Sequence, residues 1–468
     1  MSRIWAVARH TIAESVRMKV FLVIFVLVAA ICLGLPLSIK GDGTMTGAVQ
    51  SFLSYGLIAT GLLLGMLTVF MSRSLADELV HRQIYLIATK PIPRWQFILG
   101  KWLGITLLTT GFLACSGATM YGMIHVIRRT HPPLDKEFDQ QTLENEILIA
   151  RHALKAEMPD FTLEADAEFE RNREQGLYEN VPNLNAAEER LRLARKHEAQ
   201  WRVVGPLDAR LFEFKNVLVS REPGSEIQLR YKTDVQGSPW DEVFRARWVF
   251  GNRFKGTPER IADVRHFIGR YHTIPVPADV VADDNTLTVR FYNKNPFEGE
   301  AQARNVIEFR KSEPVEVLFA IGSFEGNLVR VLVLMACKLT FLAAVATLMT
   351  TVFSYPVASL ASFTIYALAG TRGFLNEAFD FASSEYAPLF SSVRQFAATV
   401  VGAVYNSLFW VLPDFAKYNP IEDFVAGRNV SLVWVLQGVV GLGLLKTMIV
   451  LGLAMLIFQR REVAEVSL

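Results

Sequence analysis

Apolar and polar positions divide this chain into three kinds of stretch. Long apolar runs occupy residues 20–37, 52–71, 97–125 and 328–351, then a run ending near Gly370, and last 432–458. Runs of this length suit helices crossing a hydrocarbon layer of roughly 30 Å, so the pattern predicts six spans. Between 127 and 325 no apolar run is long enough to cross, which makes that stretch a single insertion on one side of the membrane. Its first third, about 134–202, is charged and helical in spacing through DQQTLENEILIARHALKAEM, LEADAEFERNREQ and NAAEERLRLARKHEAQW. Asn185 opens the last of these as a cap, with acids in the first turn and basic residues toward its end. From about 208 to 318 the period changes to two. FEFKNVLV, EIQLRYK, FRARWVF, TLTVRFYN and NVIEFR alternate, separated by turn signals at Pro223-Gly224, Gly237-Ser238-Pro239 and Asp283-Asp284-Asn285. Short alternating strands at this spacing predict an antiparallel β-sandwich.

Residues 2–19 follow a different rule: Trp5, Ala8, Ile12 and Val16 share one helical face, and Arg3, Arg9, Arg17 and Lys19 supply charge. This is the pattern of an elbow helix lying on a membrane rather than crossing it. The fold class expected is a mainly α-helical polytopic membrane protein, six transmembrane helices plus the elbow, with an inserted α+β extracytoplasmic domain. Residues 1–126 carry the elbow and spans one to three, with a polar loop at 72–97. Residues 127–325 form the insertion, and 326–468 carry spans four to six with a re-entrant or interfacial segment at 371–431. The apolar piece 397–412 within that segment is short for a crossing and ends at Pro413.

Composition sharpens the division. With 51% hydrophobic residues and a mean hydropathy of +0.26, the chain is too apolar for an average soluble protein and too charged to be all membrane. The insertion holds 29 of the 48 basic and 34 of the 46 acidic residues, leaving 19 and 12 outside it. The net +2 therefore hides an acidic insertion and a basic membrane portion, and nothing suggests nucleic-acid binding. Arg3, Arg9, Arg17, Lys19, Arg73, Arg82, Lys90, Arg94, Arg460 and Arg461 fall on one side if an even number of spans separates the two ends. That side is expected to be the cytoplasm, with both termini there and 127–325 outside a bacterial inner membrane. Cys32, Cys115 and Cys337 all lie in apolar runs, so no disulfide is expected in the insertion. Val28-Ala29-Ala30 is small enough for a signal cleavage site, but the run continues to Pro36 and no cleavage is expected.

Several residues in the spans stand out. Gly61 and Gly65, and Gly100 and Gly104, are small-xxx-small pairs that let helices approach closely, either within one subunit or at a dimer interface. Lys338 lies well inside the fourth span, where an ammonium must face a partner, a translocation path or a subunit seam, or else snorkel outward. In the insertion, Trp240 sits in a turn, where it either stacks on a ligand or packs under the sheet as Trp248 is expected to do.

The loop ADELVHRQIYLIATKPIPRWQFILGK at 76–101 joins spans two and three. Its first part is helical in order, Pro91 and Pro93 stop that helix, and Arg94 with Trp95 anchors the next span. Glu78, the run Ile84–Ala88, Pro91, Arg94, Gly100 and Lys101 resemble the cytoplasmic loop of type-2 ATP-binding-cassette (ABC) exporter permeases. Arg82 or Gln83 stands where that pattern usually has Gly. TTVFSYPVASL at 350–360, Leu412-Pro413-Asp414-Phe415 with Asn419-Pro420, and the closing FQRREV also resemble elements of that family. The resemblance covers the membrane portion at both ends and not the insertion. It implies that Asp77, Glu78, His81, Arg82, Tyr85, Pro91 and Arg94 couple the permease to a cytoplasmic ABC ATPase.

Chemistry of its own is not expected in this chain. Gly100-Lys101 lacks the earlier Gly of a phosphate-cradling loop, the eight histidines show no metal spacing, and no nucleophile or metalloprotease motif occurs. ATP and Mg are expected to enter only through the partner ATPase. Membrane lipid and a second permease copy complete the expected partners, with an envelope protein as a candidate for the outer domain. The reading from another class is a membrane-anchored extracytoplasmic binding or assembly scaffold, in which the outer domain does the work. A Cys at His81 is expected to react with an impermeant thiol reagent only after cells are opened; labelling of intact cells would overturn the assigned sidedness.

Overall fold

The computed structural model describes residues 2–39, 44–80, 93–130, 139–140, 142–178, 185–219, 226–236, 242–297, 304–310, 315–383 and 415–460; for residues 2, 79, 80, 145 and 372–383 it describes the backbone alone. The chain divides into two units, one of residues 1–150 with 322–468 and one of residues 151–321.

The first unit is helical. Its elements are α1 (Ser2–Arg17), α2 (Lys19–Ser38), α3 (Met45–Met71), α4 (Arg73–Val80), α5 (Arg94–Thr130), α8 (Phe324–Val352), α9 (Tyr355–Ser383), α10 (Ile421–Val425) and α11 (Leu432–Arg460). Among the described residues, five stretches are long and apolar enough to cross a membrane: Lys19–Ser38, Met45–Glu78, Arg94–Arg129, Phe324–Val352 and Leu432–Arg460. The run ending near Gly370 lies on α9. Segment 397–412 lies outside the described residues.

The fourth of these, α8, is the axis of the bundle: 67% of its apolar window is buried, against 22% for α2 and for α11, whose side chains mostly face outward. Side chains from α2, α3, α5, α8 and α11 share one apolar core. α11 is π-helical over Gly438–Lys446, where Gly438 lies so near Leu334 that a Cβ would sit 2.4 Å from its Cδ2. α3 is capped twice. Thr44 Oγ1 accepts from the Gly47 amide at 2.9 Å, and the Asp139 carboxylate accepts from the Met45 amide and the Thr46 hydroxyl, each at 2.6 Å. A carboxylate at a helix N-terminus satisfies orphan amides and complements the helix dipole.

The second unit is mixed. Its elements are α6 (Thr162–Glu174), α7 (Ala186–Trp201) and the strands β1 (Ile149–Lys155), β2 (Val203–Val204), β3 (Ala209–Phe214), β4 (Glu226–Lys232), β5 (Asp234–Val235), β6 (Val243–Phe250), β7 (Arg260–Phe267), β8 (Tyr271–Pro277), β9 (Leu287–Tyr292), β10 (Ile307–Glu308) and β11 (Glu316–Ser323). Two sheets have four strands each, in the orders β1-β11-β4-β8 and β3-β9-β6-β7, and a small third sheet runs β2-β10-β5. Inward residues of both larger sheets meet in one aromatic core. Trp248 on β6 lies 4.7 Å from Tyr231 on β4 and 4.8 Å from Phe291 on β9, ring centre to ring centre.

One helical expectation fails. The segment DQQTLENEILIARHALKAEM is not one continuous helix: past helical backbone at 139–140 and 142, Leu143–Ile147 makes a π turn and Ile149–Lys155 is strand β1. Its partner explains the switch. β11 offers an edge beside β1, and the Ala156 amide donates to Val315 O at 3.1 Å just past the strand, so tertiary pairing overrides local helix preference. α6 and α7 do pack together, over a seam of Ala165, Phe169 and Leu193 with flanking pairs such as Lys196–Glu168 at 2.7 Å. Asn185 caps α7 through the Ala187 and Glu188 amides.

At one corner of the aromatic core His266 and His272 stack with ring centres 4.1 Å apart, and Tyr231 Oη lies 2.6 Å from His266 Nδ1. Burial, reinforced by the neighbouring His272, holds His266 down to about 4, well below its ordinary value. The unfolded chain therefore takes up this proton first as pH falls. The resulting stability is complete above about 6.5 and is lost between there and about 4. The unfolding temperature of the full chain, followed by tryptophan fluorescence, is expected to fall over that window, and to fall less steeply in His266→Gln; equal slopes would remove the pair from the account.

Candidate functional site: a buried lysine node and a cavity in the bundle

The first site is built where three helices meet. Gly100 and Gly104 on α5 leave a shallow track in which α1 lies. A Cβ on Gly100 would come 2.6 Å from Val7 Cβ, and one on Gly104 would come 2.7 Å from Ala8 O. Close contact brings the polar side of α1 over α5, and between the two glycines stands Lys101, 1% exposed. Its ammonium donates to Glu78 Oε1 at 2.7 Å and Ser74 Oγ at 2.6 Å, both on α4, and lies 3.4 Å from Glu14 Oε2 on α1. Ser74 in turn donates to Glu14 Oε2 at 2.5 Å. One cation thus fastens the elbow and the start of the loop to the third span.

The energetics are those of a buried ion pair. Desolvating a lysine and a carboxylate costs several kcal/mol each, and the mutual attraction compensates only when the geometry is good. Here two short hydrogen bonds and a second carboxylate supply that geometry. His10, Glu14 and Glu78 do bring three possible metal-ligand atoms within 4.8 Å of one another. The Lys101 ammonium already lies against both carboxylates, so a divalent ion would meet a like charge there.

The expected coupling residues separate on this geometry. Glu78 does not face outward: it is 6% exposed and its carboxylate is engaged by Lys101. Asp77 does face outward, half exposed and paired with Arg73 at 3.2 Å. Arg94 is exposed and donates to Gln459 O at 3.1 Å, tying the start of α5 to the end of α11. His81, Arg82, Tyr85 and Pro91 lie outside the described residues, as does Trp240.

The other glycine pair also packs within the chain. Gly65 lies under the ring of Tyr366 on α9, where a Cβ would sit 2.7 Å from Cζ, and Tyr366 donates its hydroxyl to Gly61 O at 3.2 Å. Beside this contact is a cavity of about 590 Å³. Leu57, Leu62, Met335, Leu339 and Phe415 give it apolar walls, and Lys338, Asn419 and Glu422 give it polar ones. Lys338 therefore faces a space inside this bundle. It stands eight residues beyond Arg330, roughly 12 Å along the helix at 1.5 Å per residue.

Residues 5–137 match the family model described as ABC-2 family transporter protein. The ABC-2 segment takes in nearly all of α1, the next two spans with the Lys101 node, and the whole of α5. The match supports a transporter membrane component, and that family implies an ATPase partner subunit. Comparisons with curated proteins and with solved structures give no match.

Sequence reasoning quoted Lys101 only as the last residue of the loop motif and did not see it as a hub. The available signal was a lysine between two helix-packing glycines at the start of an apolar run. It also passed over Lys446, which lies within the final span by the same criterion that singles out Lys338. Lys101→Met is expected to leave Glu78 buried without its cation, at a cost of about 3–5 kcal/mol. Yield and thermal stability in detergent should fall sharply, and the double variant Lys101→Met with Glu78→Leu should recover most of the loss.

Proposed function

We propose that this chain is the permease subunit of an ATP-driven ABC exporter, working as a dimer with two separate ATPase subunits. The observation that carries the reading is the Lys101 node inside the ABC-2 segment. A loop that only joined two spans needs no buried ion pair to fix it to two other helices. A loop that receives force does, because a push on a loosely held segment is absorbed locally. On this reading residues 76–88 and α1 meet the ATPase on the cytoplasmic side. Closure of the ATPases moves α4, and Lys101 passes that movement to α5 and α1 as one body.

The remaining assignments belong to the same proposal. α9 is the fifth of six spans, both termini are cytoplasmic, and the second unit lies outside the membrane with its two larger sheets as the faces of a sandwich. The buried Glu78–Lys101 pair between α4 and α5 disfavours a scaffold whose spans serve only as an anchor.

Asp77 is the residue that separates docking from internal packing, since its carboxylate faces outward while that of Glu78 does not. With the ATPase coexpressed, Asp77→Lys is expected to reduce copurifying ATPase several-fold while leaving thermal stability within about 0.5 kcal/mol, as for an exposed substitution. Undiminished copurification would remove Asp77 from the docking surface.

A further inference from the structure

We infer that α11 is a two-state helix: its π-wound stretch Gly438–Lys446 relaxes to α winding, which turns the first half of α11 by one residue and parts it from α8. The inference rests on the proposed role of these helices as membrane spans and needs no ATPase.

The buried positions of α11 are out of step at one point. In the first half they are Val435, Gly438 and Leu442, and in the second Thr447, Leu451, Ala454 and Phe458. Each step is three or four residues, as one face of an α-helix requires, except the step of five from Leu442 to Thr447. The π stretch thus stores one residue more than α winding would hold, and by doing so keeps both halves turned to the bundle. Without it the halves would differ in phase by one residue, about 100°. Thr447 Oγ1 donates to Leu442 O at 2.8 Å, five residues back, a bond that belongs to the wide turn.

A second face is written in the same residues. Counted back from Thr447 in α steps, Leu436, Val439 and Gly443 take the places of Val435, Gly438 and Leu442, and α11 then reads as one unbroken α-helical face. All six are apolar, so the exchange carries no charge into the core, and hydrocarbon accepts either set facing outward. Turning the second half instead would carry Lys446 into the buried place of Thr447. It would also break the ties of that half to α5, where Arg94 donates to Gln459 O and Phe97 stacks on Phe458. The first half is therefore the one that moves.

Spacing between the helices follows from winding. Where Gly438 meets α8, a Cβ would sit 2.4 Å from Leu334 Cδ2, so Val439 cannot take that place at the present distance. Relaxed winding drives the first half of α11 away from α8, and π winding is what lets the two touch. Farther along the same seam Gly443 faces Cys337, with a Cβ position 3.1 Å from its Sγ. Two side-chain bonds hold the closed register: that of Thr447, and Trp434 Nε1 donating to Lys417 O at 3.1 Å. Each is a modest restraint, and a π run of nine residues is rare in a helix that has only to span.

The test uses the full chain in detergent with Cys32 and Cys115 replaced by Ala, which leaves Cys337 as its one thiol. N-phenylmaleimide is expected to label Cys337 slowly, as the seam opens. Thr447→Val removes the bond peculiar to the wide turn and should raise the rate about fivefold, the shift expected for one buried hydrogen bond. Deleting Leu444, an outward residue, shortens the step from Leu442 to Thr447 to four and sets the present seam in α winding. Labelling should then fall below the parental rate. A parental rate in Thr447→Val, or no fall in the shortened chain, would overturn the inference. Should the shortened chain not fold, Trp434→Phe takes its place, with a faster rate expected and a parental one decisive against. Loss of docking at Asp77 would leave these rates unchanged, so the two readings fail separately.

Discussion

A lysine placed at the start of an apolar helix must find anions or give up its charge, and most of the arrangement at the base of the first unit follows from how Lys101 finds them. The ammonium reaches carboxylates on two other helices and a hydroxyl on one of those. None of the three elements supplies the full set alone. α1 contributes Glu14, α4 contributes Ser74 and Glu78, and each is held only while the others are in place. Buried polar groups of this kind penalise every alternative packing, because any slip of α1 or α4 leaves a charge without a partner in low dielectric. The glycines at 100 and 104 make the contact short enough for it to happen. Backbone proximity and charge complementarity are therefore one device, written in five residues of α5.

Tyr366 does for the middle of the bundle what Lys101 does for its base. Its ring fills the space left by Gly65, and its hydroxyl finds a helix carbonyl in a region with few other donors. The result is a fixed spacing between α3 and α9, and the cavity lies next to that spacing. Here a small-xxx-small pair is filled by one aromatic ring, and open volume remains alongside.

Much of this was readable from residue order, and the exceptions have physical causes. The apolar runs locate α2, α3, α5, α8 and α11 because hydrocarbon imposes a length and forbids charge. The alternating segments locate β3, β4, β6 and β9, whose inward residues form the aromatic core. β7 and β8 were not seen, since Arg260–Phe267 and Tyr271–Pro277 mix polar and apolar residues; β7 pairs with β6, the strand just before it, and β8 with the more distant β4. β1 was misread because ILIARHALKAEM satisfies a helical spacing, and only the presence of β11 decides otherwise. At the site, the glycine pairs were legible as close contacts but their partners were not: one pair meets α1 and the other meets Tyr366, choices made by tertiary topology. Glu78 stood out as an acid in the right motif. Its inward orientation depends on a lysine 23 positions away.

Lys101 and Lys338 both interrupt apolar surroundings, and the fold encloses them to different degrees. Lys101 is 1% exposed and surrounded by oxygens from its own chain, so its charge is satisfied when the helices assemble and is unavailable to anything else. Lys338 has a similar origin in sequence but borders about 590 Å³ of open space with apolar walls. Lys338 is only partly buried where Lys101 is sealed, so a lysine that interrupts an apolar run does not by itself tell whether the fold will enclose it; the helices packed around each position decide that.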